Sequence, residues 1–190
     1  MNEQLFEGEH IYLTAIDPDK DAEIEAKWTH DPEYLRLLSA DPVRPLSPGQ
    51  VKKKYEDMDK DAEKYRNTFN FAIRARADDR FIGFIRLFDI YWTHGGGKVQ
   101  LGIGDPNDRQ RGYGREALRL ILRYAFDEVN LYRVSAMTFE YNTAAIRFLA
   151  QAGFTIEVRR RQAINRDGRR WDVILMGLLR EEWKRDEGTP

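Results

Sequence analysis

A chain of 190 residues is long enough to build one domain with a sizeable core. Its 31 Lys and Arg balance 32 Asp and Glu, giving a formal net charge of -1, so no chain-wide affinity for nucleic acid or anionic membranes is expected. The absence of Cys excludes disulfide bonds, Cys-ligated zinc and a Cys nucleophile, and the three scattered histidines (His10, His30 and His94) argue against a metal site.

No stretch approaches the ~18 consecutive apolar residues of a membrane span. The N-terminal residues, MNEQLFEGEHIYL, lack the basic-then-apolar layout of a secretion signal. We therefore expect a cytoplasmic protein with neither a membrane nor a nucleic acid as its partner. Because no linker composition or internal repeat divides the sequence, we expect a single domain over residues 1–190 with its core at about 10–183.

The first third of the chain predicts one strand followed by helices. Alternating apolar residues indicate a strand, which Asp17-Pro18 ends. Further on, Ser47 can cap a helix, with Pro48 in the first position and Gln50 completing a capping box. The predicted elements are a strand over His10–Ile16, a helix to about His30, a loop over Asp31–Pro45 with a helical turn at Tyr34–Leu38, and a helix from Ser47 to about Arg66.

The remaining chain predicts mostly strands, with two late helices. The strands are Phe69–Ala75, Phe81–Ile90, Val99–Ile103, Tyr132–Phe139, Phe154–Ile164 and Trp171–Leu179. The helices are Gly112–Asn130, which has the strongest apolar stripe, and Thr143–Ala152. This order predicts an α+β domain with a single mixed central sheet of about seven strands flanked by about four helices.

The stretch Leu101–Arg115 carries the strongest chemical signal. A strand ends near Gly104, a polar turn follows, and Gly112 and Gly114 open the strongest helix. Glycine lets a ligand approach the backbone, and the N–H groups of a helix N-terminus attract an anion such as a pyrophosphate. Three side chains add positive charge there: Arg109, Arg111 and Arg115. The pattern is typical of a phosphate cradle, although a glycine-rich turn beside a solvated basic helix would look the same.

One interpretation of this stretch is a dinucleotide-binding oxidoreductase. Gly112-x-Gly114-x-x-Ala117 matches the loose dinucleotide pattern. That pattern should directly follow the first strand of a parallel sheet, with an acidic residue ~20 positions further on to bind the ribose. Here it follows several predicted strands, and Val134 lies where the acidic residue is needed.

A second interpretation fits the sequence better. Arg109-x-x-Gly112-x-Gly114 resembles the Gln/Arg-x-x-Gly-x-Gly/Ala signature of the GNAT acyltransferase family. Leu101-Gly-Ile103 resembles the splayed fourth strand of that family, and Asn142–Phe154 resembles its Asn-x-x-Ala-Ile…Gly-Phe segment. The end of the chain, Met176–Trp183, resembles the branch that includes the ribosomal-protein N-terminal acetyltransferases. The resemblance covers about His10 to Trp183.

The resemblance implies acetyl-CoA as co-substrate and direct transfer of its acetyl group to a primary amine in a ternary complex, without a metal. It implies that backbone N–H groups from about Gln110 to Arg115 hold the pyrophosphate and that the strand Leu101–Ile103 pairs with the pantetheine. The N–H of Ile103 would polarise the thioester carbonyl. The cofactor-binding residues expected on this basis are Leu101, Gly102, Ile103, Arg109, Gln110, Arg111, Gly112, Tyr113, Gly114, Arg115, Asn142, Ala145 and Phe148.

The sequence departs from the family where proton transfer is concerned. Three positions at which members often carry Glu or Tyr hold Gln100, Met137 and Leu149. Two alternatives follow: an enzyme that works by proximity and orientation, or a CoA-binding protein with little catalysis. Candidates for the remaining proton transfer are Glu140, Tyr141 and Asn142. The same three residues could instead be a surface carboxylate, a half-buried packing residue and a helix cap.

The acceptor site is the least defined part of the sequence. The resemblance implies that the early helices, the loop Asp31–Pro45 and the hairpin near Arg166–Arg170 line it. Candidate wall residues are Trp28, Tyr34, Tyr91 and Trp92. Polyamines, amino acids, aminoglycosides and protein N-termini all fit, and the branch resemblance favours a protein or peptide N-terminal amine. We expect a monomer or a homodimer.

Overall fold

One sheet of seven strands organises residues 4–183, the part of the chain that this computed structural model describes. The α+β class and the predicted number of strands are confirmed, with most strand ends within three residues of the sequence prediction. The strands are β1 (Ile11–Thr14), β2 (Phe69–Ala75), β3 (Phe81–Tyr91), β4 (Gly96–Ile103), β5 (Arg133–Phe139), β6 (Thr155–Arg166) and β7 (Arg169–Leu179).

The sheet opens in the middle. Its strand order is β1-β2-β3-β4-β5-β7-β6, and only β4 and β5 are parallel. Their ladder joins Gly96–Val99 to Arg133–Ala136 and then stops. Beyond it, β4 stays paired with β3 as far as Ile103, while β5 stays paired with β7 as far as Phe139. The two halves of the sheet therefore diverge and leave a V-shaped gap.

In the described part of the chain five α-helices cover the sheet, one more than the sequence predicted. They are α1 (Asp21–Trp28), α2 (Pro32–Leu38), α3 (Pro48–Tyr65), α4 (Tyr113–Arg123) and α5 (Thr143–Gln151). The additional helix, α2, lies inside the predicted loop because Asp31 accepts a hydrogen bond from the Glu33 N–H and Pro32 fits the first helical position. None of these helices within residues 4–183 is long and apolar enough to cross a membrane.

The helix predicted over Gly112–Asn130 changes form along its length. Gly112 has φ +86° and precedes the first turn of α4, so it caps the helix instead of belonging to it. After Arg123 the chain continues as a π-helical turn over Tyr124–Glu128, closed by the Val129 N–H donating to the Tyr124 carbonyl at 3.0 Å. The apolar face of α4 nevertheless packs on the sheet as predicted.

Alternation along β3 separates two environments. Ile85 and Leu87 are fully buried in the main core, together with the apolar face of α4. On the other face of the strand, Phe84, Arg86 and Phe88 point towards the layer formed by α1, α2 and α3. That layer has its own small core, built from Ala22, Ala26, Val51 and Tyr55. A cavity remains between the layer and the sheet.

Candidate active site

Along the gap, β4 has no partner strand on the side of β5. The Gly104 N–H donates to the Ile82 carbonyl on β3 at 3.0 Å. Because backbone groups alternate along a strand, Gly102 also bonds towards β3, whereas Leu101 and Ile103 direct their N–H and C=O groups into the gap. Their direction continues that of Val99, the last β4 residue in the ladder with β5. The gap thus offers an unfilled strand position.

Side chains around the gap leave a polar atom without a partner. A cavity of about 110 Å³ there is lined by Leu101, Thr138, Asn142, Ala145 and Phe148, among others. The Thr138 hydroxyl is buried and has no hydrogen-bond partner within residues 4–183. A buried hydroxyl without a partner is costly, so this atom is suited to a polar group of a ligand in the gap.

The turn before α4 presents a row of backbone donors. The first helical hydrogen bond runs from the Glu116 N–H to the Gly112 carbonyl at 3.0 Å, so the preceding N–H groups precede the helical ladder. A Cβ on Gly112 would meet no atom within 4 Å, whereas one on Gly114 would lie 3.7 Å from Leu101 Cδ1 and 3.9 Å from the Phe148 ring. Gly114 therefore faces the space between β4 and α5.

The three arginines of the turn have different surroundings. Arg109 donates to the carbonyls of Gly104 at 3.0 Å and Ile103 at 3.3 Å, and its guanidinium lies 3.6 Å from Asp31. It therefore ties the turn to the end of β4. Arg115 is exposed and makes one long contact, 3.4 Å, with Gln151 on α5. Arg111 is exposed at the turn itself.

Asn142 is the only one of the three predicted catalytic side chains that lines the gap cavity. Its Oδ1 caps α5 by accepting from the Ala145 N–H at 3.1 Å, as the sequence allowed. It lines both the gap cavity and a neighbouring one of about 160 Å³, which also contains Tyr34, Ile103 and Arg109. The amide nitrogen of Asn142 is not used by the cap.

Glu140 and Tyr141 have other partners. Glu140 accepts from the Asp172 N–H at 3.1 Å and lies 3.4 Å from Arg159, which also pairs with the Asp172 carboxylate. The Asp172 pKa lies below its usual value, mainly because the Gln162 N–H and Arg159 donate to it.

Tyr141 links α2 to the hairpin of β6 and β7. Its hydroxyl donates to the Arg36 carbonyl at 2.8 Å and accepts from Arg166 at 2.7 Å, and its ring stacks on Phe139. Burial raises the pKa of Tyr141 above its usual value, and the nearby Arg166 opposes part of the shift. Tyr141 thus occupies the place of a packing residue beside the gap.

The three positions that depart from the family pattern also have defined surroundings. Gln100 accepts from Arg86 Nε at 2.9 Å and donates to the Leu38 carbonyl at 3.0 Å, so both ends of its amide are engaged. Leu149 is buried in the core, whereas Met137 is 54% exposed and lines the gap. Within residues 4–183, no group of three His, Asp or Glu side chains could hold a metal ion.

A larger cavity, of about 570 Å³, lies next to the gap beneath the first three helices. We call it the acceptor cavity. Its floor comes from β2, β3 and β4, and its walls include Tyr34, Leu38, Tyr55 and Met58. Tyr34 also lines the cavity at the end of β4, so this buried ring is shared by both spaces. Its hydroxyl has no hydrogen-bond partner among residues 4–183.

The predicted aromatic walls agree with the structure only for Tyr34. Trp28 packs against Tyr34 and Phe81, and a Cβ on Gly104 would overlap its ring, so Trp28 supports the end of β4. Tyr91 is the last residue of β3 and Trp92 follows it; both are exposed, and Trp92 donates to the Arg66 carbonyl at 3.0 Å. That end of β3 is remote in register from Gly102 and Ile103.

The sequence analysis did not identify Asn70 or Arg86 as site residues. They face each other across β2 and β3, and Arg86 faces Gln100 across β3 and β4. The available signal was an arginine between Phe84 and Phe88 in a strand whose only other charged residue is Asp89. Its partners could not be read from the sequence because they depend on the register of three strands.

A strand gap next to a glycine-capped helix and a separate second cavity define an acyltransferase fold. Residues 10–155 match the model of the acetyltransferase (GNAT) domain, so the chain belongs to the GNAT family. A solved structure of a probable acetyltransferase superposes with a TM-score of 0.78 at 22% identity, covering 93% of this chain and 96% of that one. The fold has a single parallel strand pair, so the dinucleotide pattern at Gly112 lacks the parallel sheet that it needs.

Similar proteins carry the same class of activity in their names. The uncharacterized N-acetyltransferase YokL, derived from the SPbeta prophage of Bacillus subtilis, is 28% identical over 95% of this chain and 96% of its own length. A spermidine N(1)-acetyltransferase of Vibrio cholerae is 26% identical over 68% of this chain and 77% of its own length. A spermidine N-acetyltransferase from the same organism, solved with CoA and spermine, has a TM-score of 0.77 at 18% identity, over 91% of this chain and 97% of that chain. The present protein is an acetyl-CoA-dependent N-acyltransferase that transfers an acetyl group to an amine.

Proposed function

We propose that the acetyl group passes directly from acetyl-CoA to a primary amine within a ternary complex, held by the gap on one side and the acceptor cavity on the other. The observation that carries this proposal is the divergence of β4 from β5, which leaves the Leu101 and Ile103 backbone groups directed into the gap. Direct transfer also agrees with a chain that has no Cys to carry the acetyl group.

The residues of the gap fit a CoA thioester. An extended pantetheine can pair with β4 as an added strand, with the Thr138 hydroxyl as a further polar partner. The N-terminus of α4 suits a pyrophosphate because its N–H groups are unpaired and its dipole attracts negative charge. We assign these contacts to the backbone of Gln110 to Arg115, with Arg111 and Arg115 adding charge. Asn142, Ala145 and Phe148 form the α5 side of the gap.

Catalysis in this proposal rests on positioning and on a backbone donor. Acetyl-CoA supplies an activated thioester, and the Ile103 N–H is assigned to the developing oxyanion. Gln100 is not a base, because an amide cannot take the proton of an ammonium, and both of its ends are already bonded. The amine therefore enters unprotonated, and its proton leaves to water, so proximity and orientation supply most of the acceleration.

We make three further proposals, on the class of the acceptor, the location of the enzyme and its oligomeric state. Met176–Trp183 supports a place in the branch of ribosomal-protein N-terminal acetyltransferases, which favours a peptide N-terminus as the acceptor. Likeness to the Vibrio cholerae spermidine enzyme supports a small amine instead. We also propose a cytoplasmic enzyme, because acetyl-CoA is available there, acting as a monomer or a homodimer.

Steady-state kinetics test the proposal. Release of CoA is followed while acetyl-CoA and an amine are varied together, and a ternary complex gives intersecting double-reciprocal lines. Parallel lines, or an acetylated protein found by mass spectrometry after incubation with acetyl-CoA alone, would show a covalent intermediate. A melting-temperature rise with acetyl-CoA but no CoA release with any amine class would identify a CoA-binding protein without catalysis.

A further inference from the structure

A polar row crosses the floor of the acceptor cavity. Asn70 on β2 is the register partner of Arg86 on β3, and Arg86 is the register partner of Gln100 on β4. All three side chains line the cavity, and Phe84 and Phe88 flank the arginine on its own strand. The floor thus places one guanidinium between aromatic rings.

Arg86 is held in place but is not neutralised. Its Nε donates to the Gln100 amide at 2.9 Å, and its guanidinium lies 4.3 Å from the centre of the Phe88 ring. It forms no ion pair within residues 4–183, and the hydrogen bond to Gln100 goes to a neutral group. Burial lowers the pKa of this guanidinium, with Asp89 opposing the shift, yet arginine stays charged at neutral pH.

None of the acidic groups near the cavity forms an ion pair with Arg86 within residues 4–183. Glu25 is buried but pairs with Lys54 at 2.8 Å and also accepts from the Tyr55 hydroxyl. Lys98 pairs with Asp89 at 2.9 Å. Asp41 lies exposed at the rim, where water screens its carboxylate, and it accepts from the Ser39 hydroxyl.

A second unsatisfied group lies beside the guanidinium. The Oδ1 of Asn70 is buried and has no hydrogen-bond partner within residues 4–183. A half-buried cation and a buried acceptor atom, both facing a cavity that opens beside the gap, are expensive to maintain unless a ligand uses them.

We propose that the acceptor is a small amine that also carries a carboxylate, of the amino acid type, and that Arg86 binds this carboxylate. The proposal rests on the function proposed above and names its substrate class. A guanidinium matches a carboxylate through two parallel N–H donors, and Phe84 and Phe88 exclude water from the pair. A polyamine carries only positive charge and is repelled by the same group.

The proposal explains why position 100 is a glutamine. A glutamate there would face Arg86 in the same register and would form an ion pair with it. The glutamine orients the guanidinium through Nε and leaves its charge for the acceptor. Position 100 therefore serves binding of the acceptor in this chain and not proton transfer.

Matched acceptors test the substrate class. Glycine, β-alanine, 4-aminobutyrate and the larger α-amino acids are each compared with their carboxamides, which keep the amine and lose the carboxylate. In the wild-type enzyme the kcat/KM of at least one amino acid exceeds that of its amide and that of spermidine. For that pair, Arg86→Gln reduces the carboxylate-to-amide ratio by about 10- to 100-fold, as expected for loss of hydrogen bonds to a charged group. Because each ratio is compared between enzymes, the different basicities of the two amines cancel.

Three further variants sharpen the test. Arg86→Lys keeps the positive charge but loses the two parallel N–H donors of the guanidinium. We therefore expect its carboxylate-to-amide ratio to lie between those of the wild type and Arg86→Gln. Gln100→Glu lowers the ratio by neutralising Arg86, whereas a missing catalytic base would make the same change raise kcat with every amine. Arg76→Gln, at an exposed arginine paired with Glu7, removes the same charge elsewhere and leaves the ratio unchanged.

Two outcomes separate this proposal from the proposed function. If the wild-type enzyme acetylates spermidine or peptide N-termini better than any amino acid, and Arg86→Gln does not change the ratios, the substrate class is wrong and the acetyltransferase stands. If no amine leads to release of CoA, a binding measurement still tests the substrate class. Calorimetric titration of the CoA complex with the amino acids should give heat for the wild-type protein and none for Arg86→Gln. Absence of heat in both proteins overturns the proposal, and circular dichroism confirms that the variants are folded.

Discussion

The gap and the acceptor cavity present different parts of the chain to a ligand. The gap offers backbone groups: a strand edge without a partner strand at Leu101 and Ile103, and the N-terminus of α4. The acceptor cavity offers side chains, with Arg86 at the centre of its floor. Backbone recognition suits a co-substrate that is shared by a whole family, because it survives the replacement of most side chains. Side-chain recognition can change with a single substitution, so we expect the side chains of the acceptor cavity to set the choice of acceptor.

The largest expected effect tests the backbone half of this comparison. Gly114→Val places two methyl groups in the space bounded by Leu101 and Phe148, so we expect the Kd for acetyl-CoA to rise by about 100-fold through loss of hydrogen bonds to charged groups. Gly114→Ala is the matched control, because its Cβ makes only ordinary contacts at 3.7 Å or more. Calorimetry measures both, and the melting temperature of the free Val variant should change little. Equal affinity in the two variants would place the pyrophosphate elsewhere.

A related substitution separates backbone strain from blocked space. Gly112 has φ +86°, and a Cβ added to it would have no atom within 4 Å, so Gly112→Ala acts through conformation alone. We expect it to weaken acetyl-CoA binding and also to lower stability by about 1–3 kcal/mol. Thermal unfolding without ligand distinguishes it from Gly114→Val, and an unchanged melting temperature would contradict this account.

The next effect distinguishes the arginines of the turn. Arg109 bonds to two carbonyls at the end of β4, so Arg109→Gln should lower the free energy of unfolding by about 1–3 kcal/mol and weaken acetyl-CoA binding indirectly. Arg111 is exposed, so Arg111→Gln should weaken acetyl-CoA binding by less than about tenfold and leave stability within about 0.5 kcal/mol. Chemical denaturation and calorimetry measure the two quantities. If both variants lose stability equally, Arg109 is not the link between the turn and β4.

A smaller effect concerns the two candidate proton carriers beside the gap. Glu140→Gln and Tyr141→Phe should each lower kcat by less than about tenfold, below the ~10²–10⁴-fold range of general acid–base catalysis. Glu140 is engaged with Arg159 and Asp172, and Tyr141 with Arg36 and Arg166. Stopped assays of CoA release at saturating acetyl-CoA measure the change. A loss above a hundredfold in either variant would assign that residue a catalytic role.

The smallest effect concerns the pH dependence of the rate, which we expect Glu140→Gln and Tyr141→Phe to leave unchanged. Burial raises the Tyr141 pKa above its usual 10, so its hydroxyl stays protonated between pH 7 and 9 and contributes no limb there. The rate should rise over this range as the acceptor amine loses its proton, and the limb should move to lower pH for a less basic amine. Profiles for two acceptors of different basicity check this. An identical limb for both, abolished by Glu140→Gln, would reveal a base in the protein.

Local signals explain what the sequence predicted well. The capping box at Ser47 and Gln50, the glycines before α4 and the alternation in each strand involve residues close together in the chain, so they are legible without the fold. The cap at Asp31 was equally local, and its combination with Pro32 could have revealed α2.

The pairing of strands that are distant in the chain explains which parts of the site could not be predicted from the sequence. Arg86 lies 16 residues from Asn70 and 14 from Gln100, and nothing in the sequence fixes which residues face each other. The same limit applied to Arg109. Its nearby glycines suggested a phosphate contact, although its nearest partners are the carbonyls of Ile103, the last residue of β4, and of Gly104.

The outer strand β6 has a consequence for behaviour in concentrated solution. Among the strands of residues 4–183 it pairs only with β7, so within this part of the chain its other edge is open to a strand from another molecule. Three successive arginines, Arg159 to Arg161, lie exposed along it, and the register shifts twice, once between Ile156 and Val158 and once between Arg160 and Ile164. Gln162, at φ +52°, bends the strand within the second irregular stretch. Charge repulsion and an uneven ladder hinder edge-to-edge pairing, so this edge resists aggregation while the hairpin stays accessible to water.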